Sequence, residues 1–312
     1  GAEREMTLQQ VLKFIGEDHT VPSQDRDFDS YVPTHKIALP VNKQEMLANG
    51  VLSPADSNAL DTIRFDLGDR QFLIKDDLAI LDIIASNINK RPIYWAVTTR
   101  EEKLLGLDDY MQLEGLSLRL VPVRTPSSGD AFGIIGSGRV ATDIAYQNIM
   151  EKWRWGNFDK ERLYVDRSYL PSLQTMRVAI IRIARQLITE GKKDKAIALT
   201  DKYFEVFPPF NFAYDQFSAY MADIYARAGA NDKAAAKVRE IAQTQEELLR
   251  YYKSQTPDFQ KGFEQDFRFA ASAAQTLMSI ADMMKDETLK KELEDKFNPY
   301  LPTAPGLPGI RD

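Results

Sequence analysis

The spacing of hydrophobic positions changes along the chain and divides the sequence into two parts. The first part mixes short apolar or alternating runs, which are typical of strands, with helical spacing. In the second part the helical period dominates. The sequence therefore predicts an α+β fold, with a small mixed α/β domain over residues 1–165 and an all-α domain over residues 166–312.

The clearest helix of the first part is predicted over residues 75–89. Leu81, Ile84 and Ile88 recur there at helical spacing, and two aspartates occupy the first turn, where negative charge suits the helix dipole. Strands are predicted at residues 36–41, 63–67, 72–75, 93–98 and 116–121. Because strand, helix and strand follow one another with short connections, we expect a right-handed βαβ crossover around this helix. Apolar residues on both faces of the strand at 93–98 predict that both faces are covered.

The second part contains an internal repeat centred on two glycines, Gly191 and Gly229. Small residues recur at matching positions before and after each glycine, namely Ala184, Ala196, Ala222 and Ala234. Small side chains let two antiparallel helices approach closely and glycine supplies the turn, so the pattern predicts tetratricopeptide-like helical hairpins. A third hairpin, predicted over residues 259–284 and 287–297, lacks the glycine and is typical of a capping unit.

Composition and charge narrow the classes of function. A formal charge of −6 and a pI near 5.2 disfavour a nucleic-acid partner, which usually meets a basic face. The chain has no cysteine, which excludes disulfides and thiolate metal sites. Its apolar runs are much shorter than the ~20 residues of a spanning helix, so we predict no membrane segment in this chain. Gly1 resembles a residue left by tag removal, and we expect an excised piece of a longer protein.

Motifs for catalysis or metal binding are weak. His19 and His35 are the only histidines, and they lack further ligands at metal-site spacing. The alternating carboxylates of residues 25–29 lack the later glycine and glutamate of a calcium loop. The glycines of residues 133–138 do not follow the order of a dinucleotide-binding loop. We therefore predict no catalytic residue, no metal and no cofactor in this chain.

Several short motifs, taken in order, resemble a known family. They are KRPIYWAV at residues 90–97, LGLDDYMQLEGL at 105–116, RLVP at 119–122, GRVATD at 138–143 and WGN at 155–157. Together they resemble the soluble C-terminal region of a bacterial family of multi-spanning membrane proteins, over nearly the whole chain. The membrane half of that family is similar to protein O-mannosyltransferases and related lipid-dependent glycosyltransferases. The resemblance implies a periplasmic location and places the family's catalytic acids outside this chain.

The primary hypothesis is a non-catalytic accessory or interaction domain of a glycosyltransferase-like membrane protein. Its partner would be an acceptor protein, a glycan, or other subunits, including its own membrane half. One alternative is a stand-alone carbohydrate hydrolase that uses the carboxylates near Tyr110, namely Asp108, Asp109 and Glu114. That alternative requires two facing carboxyl groups about 5–10 Å apart. The other alternative is a purely structural domain that stabilises the membrane half.

Candidate binding residues combine aromatic faces with hydrogen-bonding groups, which sugars and peptides both use. Those of the first domain are Tyr110, Glu114, Arg119, Trp153 and Trp155. In the repeats, the first helix of each unit normally lines the groove, and the candidates there are Arg182, Gln186, Asn211 and Tyr214. A helix predicted over residues 142–155 carries the two tryptophans. These could instead anchor that helix against the first domain.

Overall fold

A computed structural model of the chain describes residues 4–17, 31–127 and 133–301. The chain forms two compact units, Gly1–Asn148 and Ile149–Asp312. The first combines small sheets with helices and the second is helical, which confirms a mixed α+β architecture. The structure divides the units after Asn148, whereas the sequence predicted a boundary after residue 165. The expectations for His19 and for residues 25–29 fall outside the described residues.

The first sheet has three strands in the order β1-β2-β3. They are β1 (Met6–Thr7), β2 (Lys36–Pro40) and β3 (Thr62–Asp66). β1 pairs with β2 in parallel, and β2 pairs with β3 in antiparallel register with Ile37 opposite Phe65. Buried residues of β2 face the helix α1 (Leu8–Gly16), which Thr7 caps by accepting a hydrogen bond from the Gln10 backbone N–H.

The helix α3 (Lys75–Asn87) confirms the helix predicted from the periodic apolar residues. Leu81, Ile84 and Ile88 are buried as expected, because they share one helical face. Residues 72–74, by contrast, are not a strand. Phe72 is 68% exposed there, and the segment leads directly into α3. A shorter helix, α2 (Lys43–Ala48), connects β2 and β3.

The second sheet has four strands in the order β4-β6-β5-β7. They are β4 (Tyr94–Ala96), β5 (Met111–Leu113), β6 (Ser117–Leu120) and β7 (Arg139–Val140). β6 pairs antiparallel with both β4 and β5, and β5 pairs in parallel with β7. The expected βαβ crossover around α3 is wrong, because β3 and β4 belong to different sheets. The expectation that both faces of β4 are covered is also wrong, since Trp95 is buried but Tyr94 is 46% exposed.

Gly138 makes the pairing of β7 with β5 possible. Its φ is +55°, in the left-handed region, and a Cβ at this position would overlap the carbonyl oxygen of Met111. The helix α4 (Thr142–Gln147) follows β7, and a π-helical turn over Asn148–Lys152 ends the helix predicted over residues 142–155 before it reaches the tryptophans. Ile149 is buried, whereas Ile144 is 41% exposed.

The described residues of the second unit form helices joined by short connections. They are α5 (Leu170–Thr189), α6 (Lys193–Val206), α7 (Gln216–Ala228), α8 (Asn231–Ser254), α9 (Pro257–Gly262), α10 (Glu264–Met284) and α11 (Glu287–Phe297). The pairs α5–α6, α7–α8 and α10–α11 are helical hairpins that pack on one another. None of the helices among the described residues combines the length and apolar character of a membrane span.

The two repeat glycines lie in hairpin turns, and the repeat alanines are buried. Gly191 and Gly229 adopt φ of +72° and +85° in the turns of the first two hairpins. The four repeat alanines are fully buried at 0% exposure. The third hairpin differs from its prediction, because residues 257–262 form the separate helix α9 before α10 begins.

Candidate functional site

Four polar residues stand side by side across the second sheet. The strand registers place Tyr94 opposite Arg119, Arg119 opposite Gln112, and Gln112 opposite Arg139. Directly opposed residues point to the same face of a sheet, so these four form one line, here called the polar row. The alternate positions Trp95, Leu113 and Leu118 are buried.

Glu114 joins the polar row through its carboxylate. Its Oε1 accepts a hydrogen bond of 2.7 Å from Gln112 Nε2 and lies 3.5 Å from Arg119 Nη1. Its Oε2 accepts a hydrogen bond of 3.1 Å from the Tyr94 hydroxyl. Burial raises the pKa of Tyr94, and the charge of the Glu114 carboxylate adds to this effect. The Glu114 carboxylate, predicted as a binding group, is therefore engaged by three side chains of its own unit.

Two arginines of the polar row are bonded to the segment that follows α2. Arg139 Nη2 donates to Asp56 Oδ1 at 2.8 Å, and its Nε donates to Gln112 Oε1 at 2.7 Å. Arg119 Nη2 donates to the carbonyl oxygens of Gly50, at 2.8 Å, and Val51. These bonds connect β6 and β7 to a part of the chain more than fifty residues away.

Arg119 has one atom whose hydrogen bonding is incomplete. Its side chain is 13% exposed, and its Nε is buried with no hydrogen-bond acceptor in the part of the chain that the structure describes. A buried donor without an acceptor costs about 1–3 kcal/mol. The other two nitrogens of Arg119 contact Glu114 and the carbonyl oxygens of Gly50 and Val51, so this predicted binding residue is engaged mainly within its own unit.

Tyr110 and the neighbouring carboxylates also have partners within the first unit. The Tyr110 side chain is 3% exposed, and its hydroxyl both donates to Arg64 O and accepts from Arg64 N, at 3.0 and 3.2 Å. Asp109 Oδ2 accepts from Arg124 Nε at 3.1 Å, and its Oδ1 accepts from Ser127 N at 3.2 Å. Burial raises the pKa of the adjacent Asp108.

The two predicted tryptophans pack among aromatic residues of the second unit. The ring centroids of Trp153 and Trp155 are 5.5 Å apart, and that of Trp155 lies 6.0 Å from Phe207. Asn211 holds the neighbouring loop, because its amide nitrogen donates to the carbonyls of Phe158 and Glu161 while its oxygen accepts from Leu163 N. These contacts give the three predicted residues packing and positioning roles in the second unit.

A buried arginine that the sequence did not indicate connects the first two hairpins. Arg177 of α5 donates to Asp215 through two nitrogens, at 2.7 and 2.5 Å, and to the hydroxyl of Tyr203 in α6 at 2.7 Å. Asp215 is the N-cap of α7, where its carboxylate also accepts from Ser218 N. Burial raises the pKa of Tyr203 to about 12. The only trace of this contact in the sequence is the helix cap, in which Asp215 precedes Ser218 by three residues.

Polar side chains of α5, α7 and α10, the first helices of the three hairpins, contact one another from helix to helix. The Arg185 guanidinium lies 5.3 Å from the Tyr220 ring centroid, and Gln216 Nε2 donates both to the Tyr220 hydroxyl and, at 2.7 Å, to Ser272 Oγ. Together with Gln186, whose amide donates to Glu190 at 3.1 Å, these residues form what we call the polar strip. Gln186 was predicted as a binding residue on the first helix of a repeat unit, and it lies on the polar strip.

Two further predicted residues of the repeats are buried rather than surface groups. Arg182 is 8% exposed, and Tyr214 is 7% exposed. The Tyr214 hydroxyl donates to Glu240 Oε2 at 2.9 Å, and its carbonyl oxygen accepts from Gln245 Nε2 at 2.7 Å. Burial raises the pKa of Tyr214. These contacts join α7 and its preceding residues to α8.

The first unit resembles a known family model. The family model described as TMEM260-associated domain 2 matches residues 1–143. This match fits a domain of a TMEM260-like membrane protein. Comparisons with curated proteins and with solved structures found no match. Within residues 4–17, 31–127 and 133–301, no group of three or more histidine or acidic side chains is arranged to hold a metal ion.

Proposed function

We propose that this chain is a non-catalytic accessory domain of a TMEM260-like, glycosyltransferase-like membrane protein, on the periplasmic side of the membrane. Its second unit binds a partner, which is an acceptor protein, a glycan, or the membrane half of the same protein. The observation that carries the proposal is the match of residues 1–143 to the TMEM260-associated domain. The glycosyltransferase character of the parent rests on the sequence resemblance alone.

The contacts of the acidic residues support a non-catalytic role. A glycosidase needs one carboxyl group that gives a proton to the leaving oxygen and a second that faces the sugar. Asp109 instead accepts hydrogen bonds from Arg124 and from a backbone N–H, and Glu114 is bonded within the polar row. These groups position strands and loops, so the hydrolase alternative has less support than a binding domain.

The polar strip supports binding by the second unit. Helices α5 and α7 pack against each other, as do α7 and α10, and tetratricopeptide-like arrays bind partners along the face formed by such first helices. Gln186, Gln216 and Tyr220 are partly exposed there. Amides, a tyrosine and an arginine supply the donors, acceptors and aromatic surface that partner recognition uses.

Photo-crosslinking in the full-length parent protein tests this proposal. A photoreactive amino acid at Gln186, on the polar strip, should give a discrete crosslinked species in membranes. The same probe at Asp232, which is exposed on α8, is the matched control and should give none. Mass spectrometry of the adduct then separates an acceptor protein from the parent's own membrane half.

Two results would contradict the proposal. Turnover of a glycoside substrate by the purified chain would favour the hydrolase alternative. Absence of adducts at Gln186, together with a lower amount of parent protein but unchanged activity per molecule after deletion of the domain, would favour the purely structural alternative.

A further inference from the structure

A shallow groove lies where the end of α8, the short helix α9 and the start of α10 meet. Its volume is about 280 Å³, and its walls include Tyr252, Lys253, Pro257, Gln260, Phe263 and Phe267. We call it the aromatic groove. It is separate from the residues of the polar strip.

Aromatic rings give the groove apolar walls that remain in contact with water. The rings of Phe259 and Phe263 are nearly parallel with centroids 4.3 Å apart, and Tyr252 stacks beyond Phe263 at 6.5 Å. Phe263 is nevertheless 42% exposed. Contiguous exposed apolar surface of this kind is typical of interaction sites.

Hydrogen bonds between side chains and the backbone hold the walls in place. Gln260 Nε2 donates to the carbonyl oxygens of Gln255, at 2.9 Å, and Lys253, at 3.3 Å. These bonds fasten α9 to the end of α8. The Thr256 side chain caps α9 by accepting from Phe259 N. The groove is therefore a formed feature of the hairpin connection, which lowers the ordering cost of binding.

One ammonium group at the groove, that of Lys253, has no carboxylate partner among the described residues. Lys253 Nζ lies 5.1 Å from the Phe267 ring centroid. Glu264, the acidic residue at the wall, is paired with Arg268 Nη2 at 2.6 Å. Lys261 also lies at the rim, where its ammonium is 4.0 Å from Asp258 Oδ1, so Lys253 is the cation left for an occupant. An occupant with a carboxylate beside an apolar group would complement both features.

We propose that the aromatic groove binds an extended acidic peptide. One apolar side chain of the peptide enters between Pro257, Phe263 and Phe267, and a neighbouring carboxylate meets Lys253. The volume is near the lower end for ligand pockets, which suits a single anchoring side chain rather than a larger molecule. A sugar is disfavoured because the amide nitrogen of Gln260 already donates to two carbonyls, which leaves few groups for sugar hydroxyls.

Fluorescence polarisation with the purified chain and labelled synthetic peptides tests this inference. The probe is a short Gly–Ser peptide that carries one tryptophan flanked by two aspartates. One control peptide replaces the aspartates by lysines, and a second replaces the tryptophan by alanine. Both controls should bind at least fivefold more weakly, and added salt should weaken the acidic peptide because its carboxylates meet Lys253 at an exposed site.

Two variants and a matched control locate the site. Phe263→Ala should weaken binding more than tenfold by removing an anchor wall, and Lys253→Glu should weaken it about fivefold by reversing the charge. Lys291→Glu, an equal charge change at an exposed position of α11, should leave the affinity unchanged. Circular dichroism checks that each variant is folded. Because Lys253→Glu changes an exposed side chain, this variant should fold and still tests the site if Phe263→Ala unfolds.

Several outcomes would overturn the inference. They are equal binding of the acidic and basic peptides, no binding of the acidic peptide, or unchanged affinity in Lys253→Glu. Binding of an oligosaccharide in place of the peptide would assign the groove to glycans. Concentration-dependent dimers that Phe263→Ala abolishes would assign it to a second copy of the chain. None of these results bears on crosslinking at Gln186, so the proposed function is tested independently.

Discussion

Arg177 and Asp215 form a two-point contact between the first and second hairpins, with N–H···O distances of 2.7 and 2.5 Å. Arg177 is buried, while the Asp215 side chain remains 41% exposed. The guanidinium also lies 5.0 Å from the Phe217 ring centroid and 5.6 Å from that of Tyr203. One side chain of α5 therefore positions both α6 and the start of α7.

Substitution of Asp215 by asparagine separates the charge of this contact from its capping role. Asparagine caps a helix about as well as aspartate, so α7 keeps its N-cap. Arg177 would stay buried without its counter-charge, and we expect the free energy of unfolding to fall by about 3 kcal/mol. Urea denaturation followed by tryptophan fluorescence measures this change.

A surface ion pair is the control for that measurement. Glu264→Gln removes the partner of Arg268 where both side chains are more than half exposed. The expected loss is below about 1 kcal/mol. Equal losses in Asp215→Asn and Glu264→Gln would show that burial of Arg177 does not strengthen its contact.

The pKa of Tyr203 predicts a loss of stability at high pH. Burial raises this pKa to about 12, whereas an unfolded tyrosine titrates near 10. The folded chain therefore keeps a proton that the unfolded chain releases. The stabilisation is complete below about pH 10 and is lost as the pH rises towards about 12.

Comparison of wild type with Tyr203→Phe isolates this contribution from those of other tyrosines. The variant should lose about 1 kcal/mol at neutral pH, because Arg177 Nε loses an acceptor. Its stability should then decline less between about pH 10 and 12 than that of the wild type. Parallel curves for the two proteins over this interval would contradict the assignment.

Gly138 should tolerate no side chain. In Gly138→Ala a methyl group would meet the backbone carbonyl of Met111, so β7 must move away from β5 or the first unit must unfold. We expect a loss of at least about 3 kcal/mol, since overpacking and left-handed backbone strain add. Thermal unfolding measures the loss.

Gly191→Ala is the matched control for backbone strain alone. Gly191 also has a positive φ, but nothing lies within 4 Å of the position that its Cβ would occupy. Its cost should be about 1 kcal/mol. A larger loss in Gly191→Ala than in Gly138→Ala would refute the proposed role of the close approach.

Glu114→Gln distinguishes an internal role of the polar row from ligand binding. The substitution leaves Arg119 largely buried without a carboxylate, and we expect the first unit to lose about 3 kcal/mol of stability. Chemical denaturation of the purified chain, with Glu102→Gln as an exposed control, gives the comparison. A variant that keeps wild-type stability but loses partner binding would instead support the binding role predicted from the sequence.

Local patterns predicted much of the helical structure. The apolar spacing of Leu81, Ile84 and Ile88 gave α3, because helical periodicity is a property of neighbouring turns. Gly191 and Gly229 marked their hairpin turns for a similar reason, since a left-handed turn residue favours glycine. The longer strands β2, β3 and β6 were also predicted within a few residues.

Strand pairing and the polar contacts could not be predicted in the same way. β5 and β7 have three and two residues, which is too short for an alternating pattern to show. The polar row joins residues from four strands, and Arg139 reaches Asp56 from eighty-three positions away. Sequence alone singled out Tyr110, Glu114 and Arg119 but did not show that their polar groups serve their own unit.

The unequal lengths of α7 and α8 bear on how the chain can be shortened. α8 has 24 residues and α7 has 13, so the last three turns of α8 extend past α7. Leu249, in that extension, belongs to the same apolar cluster as Ala274, Leu277 and Phe297. A fragment that stops after the second hairpin would expose this surface and aggregate, so truncated versions should retain α10 and α11.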